Sequence, residues 1–351
     1  HNKPHMKYLS VLFLFLSNCL LAQTKIAGTY DTKTQKFTPE DKNYNIQYFF
    51  KGYASVTDGK SSGIIDSTGT VIVPLIYDMT VSGFTENRAM VKKENLYGFA
   101  NKSGKEVIPC IYDEAKGFSE GYAWVRKGEK WGRIDASGKE NIPFMYETAG
   151  FSSEGMTRVR KDGKFGALNQ KGQEAVPCIY NEIGFFKDGL AAATKGSKRG
   201  YVDKTGKTVV PFIYDIADDF KGGIAIVRNH NKCGLIDKTG KVIVPLIYDG
   251  MGSFDSDQSG LARVQIGNKW GFINKKGKEI VPCIYIKANF FSEGLALIVT
   301  DKGESGYVDA TGKLIIPFTK YTRAENFRNG KAEVRKGNDV FYINKQGQTV
   351  N

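Results

Sequence analysis

The side chains best placed to hold a metal ion lie in one short stretch, Asp255-Ser-Asp257-Gln-Ser259-Gly260. Oxygen ligands at alternate positions before a glycine turn are how a short loop wraps hard Ca2+. Asp255, Asp257 and Ser259 are therefore the metal candidates. Ile266, not Glu, stands at the twelfth position, so a further carboxylate must come from elsewhere and affinity should be weak. The competing reading is a solvated polar insertion. No other cofactor is expected.

Nucleophilic and zinc chemistry of the familiar kinds needs histidine, and the chain has three. His1 and His5 precede the first methionine, Met6, which leaves His230 in the polar turn Asn229-His-Asn-Lys232. An exposed turn residue is expected there. Paired carboxylates could hydrolyse glycosides, but Asp78, Asp113, Asp215 and Asp249 occupy one recurring position, and a side chain repeated in every unit serves the unit. The chain is read as not an enzyme.

Cys110, Cys178 and Cys283 also share a position, one that Leu75, Phe144, Phe212 and Leu246 fill elsewhere. Cysteine there is read as a small buried apolar residue. Equivalent positions two or more units apart should lie well beyond the roughly 7 Å Cα reach of a disulfide. No bridges are expected, and Cys233 packs likewise.

These positions belong to a repeat of about 34 residues. P-x-x-Y recurs at Pro74, Pro109, Pro143, Pro177, Pro211, Pro245 and Pro282, with a looser copy at Pro317. The proline spacings are 35, 34, 34, 34, 34, 37 and 35; the longest holds the polar insertion. In phase with it run Gly-x-x-[Asp/Asn]-x-x-Gly, as in Gly200-Tyr-Val-Asp203-Lys-Thr-Gly206, and an aromatic followed by Gly-x-Ala, as in Phe118-Ser-Glu-Gly121-Tyr-Ala123. Within 261–285 the pattern has the period of strands: Leu261 to Ile266, Trp270 to Ile273 and Glu279 to Pro282, joined by turns in which glycine supplies positive φ. Proline closing the third strand suits a strand end or edge.

The fold class expected is therefore all-β, with tandem three-stranded β-meanders in an open solenoid-like array. The alternative, a closed or part-closed β-propeller, would add a short fourth strand around Tyr146 to Phe151. Tyr77, Tyr112, Tyr180, Tyr214 and Tyr248 are read as inter-unit core in preference to a sugar-binding ladder. Trp124 is the aromatic to test first for exposure.

Residues 1–5 are read as a remnant of the expression or gene boundary. Residues 6–22 have the layout of a signal peptide, with Lys7 before the apolar run Leu9–Leu16 and cleavage near Ala22. Residues 23–45 form a degenerate N-terminal half repeat, and 46–351 the array with an incomplete last unit. Losing 1–22 removes Lys3 and Lys7 and takes the formal charge from +13 to +11. These cations are dispersed in turns, whereas nucleic-acid binders gather theirs in a patch. Specific nucleic-acid binding is not expected, nor a membrane span once the leader is cleaved.

Lys130-Trp131-Gly132 and Lys269-Trp270-Gly271, each followed by Ile-[Asp/Asn]-x-x-Gly-Lys and a P-x-x-Y close, carry a recognisable signature. The chain resembles the WG-repeat (KWG-repeat) proteins over nearly all of 26–351, although the tryptophan is replaced by Tyr97, Phe165, Arg199, Cys233 and Ser305. The resemblance implies a β-rich repeat of bacterial exported proteins without common catalytic residues. The expected function is an exported, secreted or cell-envelope scaffold that binds another macromolecule, with protein the first partner and a cell-surface glycan the alternative.

Overall fold

The computed structural model describes residues 24–81, 83–254, 257 and 259–350. The leader 6–22 and Asp255 lie outside them. The described chain is all β. A hairpin pairs Gly28–Asp31 with Lys36–Pro39 and is followed by nine four-stranded antiparallel sheets, each ordered as the chain runs. No strand belongs to two of these sheets, so they form a tandem series and not a barrel.

The sheet built from Ile216–Ala217, Ile224–Asn229, Lys232–Asp237 and Val242–Tyr248 illustrates the unit. Its second and third strands pair residue for residue from Ile224↔Asp237 to Asn229↔Lys232. The Asp237-Lys-Thr-Gly240 turn then reverses the chain. Asp237 Oδ1 accepts the Thr239 N–H, the Thr239 hydroxyl and the Lys241 N–H, while Gly240 takes φ +85°.

Two corrections concern strands. Each sheet has four, one more than the expected meander, because a short strand directly follows P-x-x-Y and pairs with the next sheet: one residue, Asp215, separates Tyr214 from Ile216–Ala217. Around 146–151 this strand is Thr148–Ser153. Proline also lies inside the last strand and not at its close. Glu279–Tyr285 passes through Pro282 with a register shift, on the outer edge of its sheet.

That irregularity explains the glycine of the Trp-Gly pair. A Cβ on Gly98 would lie 2.6 Å from the Ile108 carbonyl oxygen and 2.7 Å from the Cys110 nitrogen. Only a residue without a side chain lets the last strand fold over the third.

By contacts the chain divides into two units, His1–Gly128 with Gly132–Pro143, and Glu129–Trp131 with Phe144–Asn351. Within each, the core lies between consecutive sheets. In the second, Tyr201, Val210 and Tyr214 of one sheet pack with Ala217, Phe220 and Val227 of the next. The phenylalanine before Gly-x-Ala meets an aromatic of the preceding sheet at ring-centroid distances of 4.7 Å for Tyr201–Phe220, 5.0 Å for Phe272–Phe291 and 5.0 Å for Tyr307–Phe327; in the first unit Phe99–Phe118 does so at 4.9 Å. Burying such a ring contributes about 1.5–3 kcal/mol.

Candidate binding surface

The recurring carboxylates hold turns together. Asp113, Asp215 and Asp249 accept the backbone N–H of Gly128, His230 and Gly267 at 2.6, 2.8 and 2.7 Å, clamping the turn between the second and third strands. Asp78 does the same for Asn95 at 3.3 Å. His230 is exposed at φ +48°, a turn residue as expected.

In the polar insertion, Asp257 and Ser259 are placed and tied to backbone. Asp257 Oδ1 accepts the Ser259 N–H at 2.9 Å, its Oδ2 accepts the Phe291 N–H of the following sheet at 2.9 Å, and Ser259 Oγ accepts the Leu261 N–H at 3.1 Å. Among the described residues, no three His, Cys, Asp or Glu side chains converge to hold a metal ion.

The four cysteines of the repeats are free thiols, Cys233 fully buried and Cys110, Cys178 and Cys283 half-buried. Each half-buried thiol follows the strand proline. The backbone N–H of Cys110, Cys178 and Cys283 donates to Glu106, Glu174 and Glu279 four residues earlier, at 3.3, 3.2 and 2.8 Å. Proline lacks an N–H and glutamate occupies the next one, so the outer edge of these sheets offers few donors to an added strand.

Tyr77, Tyr112, Tyr180, Tyr214 and Tyr248 are buried, which places them in the core as expected. Burial pushes their phenols upward. Trp124 is the exception to expectation: it is buried, 9% exposed, beside Arg133, whose guanidinium lies 5.9 Å from the indole and 4.3 Å from the Tyr122 ring.

Sequence reading missed an exposed apolar position that recurs on the last strand of the sheets. The isoleucine of P-x-I-Y is exposed in both units, at Ile76 and Ile111 in the first and at Ile179, Ile213, Ile247 and Ile284 in the second, each 44–57% exposed. Period-two alternation from buried Val244 to buried Tyr248 was the available signal, since it turns Pro245 and Ile247 outward.

On the sheet faces, the position of the repeat tryptophan supports stacked cations. Arg263 lies between Trp270 and Phe290, 4.4 and 4.2 Å from their ring centroids, and donates to the Ala288 carbonyl of the next sheet at 3.0 Å. Its desolvation lowers its pKa. Arg158 repeats the arrangement with Phe165 and Phe185 at 5.4 and 5.3 Å.

Eight consecutive segments, 63–97, 97–131, 131–165, 165–198, 200–233, 234–270, 270–302 and 306–338, match the family described as WG containing repeat. No curated protein matches the chain. Among solved structures it is similar to the computationally designed Ika8 protein, at 13% identity over 79% of this chain and 98% of that one, TM-score 0.29. BamB from Moraxella catarrhalis matches at 11% identity over 93% and 96%, TM-score 0.29. The extracellular domain of a hybrid two-component system protein from B. thetaiotaomicron matches at 10% identity over 92% and 53%, TM-score 0.26.

Proposed function

The chain belongs to the WG-repeat family, and from that premise we propose that it is an exported, non-enzymatic scaffold that binds another protein along the outer strands of its sheets. The observation that carries this reading is the recurring exposed isoleucine. Four sheets of the second unit each turn one outward beside an exposed proline. Exposed apolar side chains repeated at one position of successive sheets offer anchors that a protein partner can bury. In the sheets of Cys178 and Cys283 the proline and the glutamate-bound N–H leave the outer edge few donors, which favours side-chain docking over strand addition there. Export rests on Lys7 and the Leu9–Leu16 run.

The test compares the native chain with a variant carrying serine at Ile179, Ile213, Ile247 and Ile284, both immobilised and exposed to an envelope extract of the producing cells. A protein retained by the first and lost from the second, then rebound from purified components, supports the proposal. Equal retention by both overturns it.

Glycan binding is the second reading, and one feature favours it. Tyr48 is 88% exposed and lines a pocket of about 550 Å3 with Gln35, Asn45 and Gln47. An open aromatic face beside side-chain amides suits sugar rings. Retention on peptidoglycan that disappears in Tyr48→Ala would move the function to this class.

A further inference from the structure

One cavity of about 340 Å3 opens on the face of the sheet containing Glu182–Ile183, Leu190–Lys195 and Lys198–Asp203. It exists because two positions are small. Ala192 stands where other units carry Met90, Trp124, Arg158, Ile226 or Arg263, and Gly184 lies beside it, its N–H donating to the Ala192 carbonyl at 2.8 Å.

Four charged side chains line the cavity. Arg199 is spoken for: it bonds the Glu182 carboxylate at 3.2 Å and the Ala217 carbonyl at 3.4 Å. Arg158 enters from the preceding sheet, held by the Phe165 and Phe185 rings and by one N–H on the Ile183 carbonyl at 3.3 Å. No carboxylate among the described residues forms an ion pair with it, so further guanidinium donors remain free. Asp219 enters from the following sheet. Its Oδ1 lies 3.2 Å from where a Gly184 Cβ would be, and no hydrogen bond or ion pair among the described residues engages either of its oxygens. The free cation and the free anion thus abut adjacent residues, Ile183 and Gly184, without joining each other.

We propose that this cavity binds a free neutral α-amino acid, its carboxylate on Arg158 and its ammonium on Asp219. With Arg199 and Glu182 neutralising each other, the open charges are one positive and one negative. A zwitterion matches both, whereas an anion or a cation alone meets only one of them. The volume lies at the small end of the roughly 300–1,000 Å3 range of ligand pockets, which suits a molecule of this size. The Phe165 ring, which lines the cavity, gives its side chain an apolar wall. This site is independent of the outer-strand isoleucines, so each proposal can fail alone.

Calorimetric titration of the purified chain with glycine, L-leucine and L-phenylalanine, each separately, tests it. At least one should bind with millimolar or tighter affinity. For leucine, the matched halves 4-methylpentanoate and 3-methylbutylamine should each bind about tenfold more weakly or worse, the scale of one lost charged hydrogen bond. Ala192→Met, which fills the cavity, should abolish binding. Arg158→Gln and the exposed Asp219→Asn should each weaken it about tenfold, with circular dichroism confirming the fold. No heat from any of the three amino acids overturns the proposal, as does unchanged affinity in Ala192→Met or Asp219→Asn, or a half-ligand that binds as tightly as leucine.

Discussion

Cys110 lies with its sulfur 3.8 Å from Glu106 Oε2 and 3.9 Å from the Val91 carbonyl. Burial first, and the neighbouring carboxylate second, push its thiol from about 9 up to about 11. Cys178 and Cys283 are raised to about 11 for the same reasons. At pH 8 the reactive thiolate is then about a hundredfold scarcer than in the unfolded chain. Because a thiolate of higher pKa is also more nucleophilic, a disulfide reagent at pH 8 should label these thiols at least about tenfold more slowly in the folded protein than in guanidinium, and comparable rates would refute the placement. The folded chain holds these protons more tightly than the unfolded one. Their contribution to stability is therefore complete below pH 9 and lost as pH rises through about 11. Residue scale also separates two apolar positions of one strand. Ile247, despite its hydrophobicity, is 49% exposed, whereas Val244 is 1% exposed. Val244→Asp strands a charge among Cys233, Leu235 and Phe254 and should cost several kcal/mol. Ile247→Asp keeps its charge in water and should change stability by less than about 0.5 kcal/mol. Urea denaturation of both variants checks the pair.

At the scale of the strand and turn, the Trp-Gly and P-x-x-Y elements are one device read at two places in the sequence. The proline irregularity pushes the last strand toward the third, and the glycine makes room for it. A Cβ on Gly166 would sit 2.5 Å from the Val176 oxygen and 2.8 Å from the Cys178 nitrogen. Gly166→Ala should thus cost at least about 1–3 kcal/mol, as overpacking does, whereas an exposed turn substitution such as Lys238→Ala should be near neutral in the same denaturation assay. The turn carboxylates add a pH dependence. Hydrogen bonds from Ser137, Thr239 and Thr311 hydroxyls, foremost, hold Asp135, Asp237 and Asp309 below the usual carboxylate range. Depressed values stabilise the fold above the ordinary carboxylate pKa and lose that stabilisation as pH falls below it. A melting temperature that stayed level from about pH 6 down to about pH 3 would contradict this. The repeat period, the Asx turns and the tyrosine core were legible because each depends on a residue type at a fixed spacing. The first strand of each sheet was not. In most sheets it spans two residues and follows the tyrosine after a single residue, and outside Gly250–Met251 it does not open on a glycine or proline that would mark where the chain leaves one sheet for the next. The stacked Arg158 and Arg263 were equally hidden, since their partners Phe185 and Phe290 come from the next repeat.

At the scale of the array, the bonds that join sheets among the described residues of the second unit connect each sheet to its neighbour in sequence. Glu154 accepts the Gly189 N–H of the following sheet at 3.0 Å and pairs with Lys204 at 3.1 Å; Glu293 repeats this with Gly330 at 3.0 Å and Lys345 at 3.2 Å. Asp188 does the same for Gly223 at 2.8 Å. Aromatic contacts such as Tyr201–Phe220 follow the same order. When coupling runs between neighbours, stability is approximately a sum of unit and interface terms, and removing units from one end subtracts terms without abolishing the rest. A chain ending at Asp249 keeps the sheet that closes with Val242–Tyr248 intact. It loses Phe254, Ala262, Val264 and Ile273, which cover Leu235 and Val244. The shortened protein should therefore remain β-rich by circular dichroism and unfold at a lower guanidinium midpoint than the full chain. Its newly bare face should bind an apolar dye that the full chain ignores, and Leu235→Lys in the shortened protein should suppress that binding while leaving the β signal in place. Collapse of the shortened chain to a coil would show that the sheets fold only as a complete set, and that the neighbour contacts named above are too weak to hold the remaining sheets together.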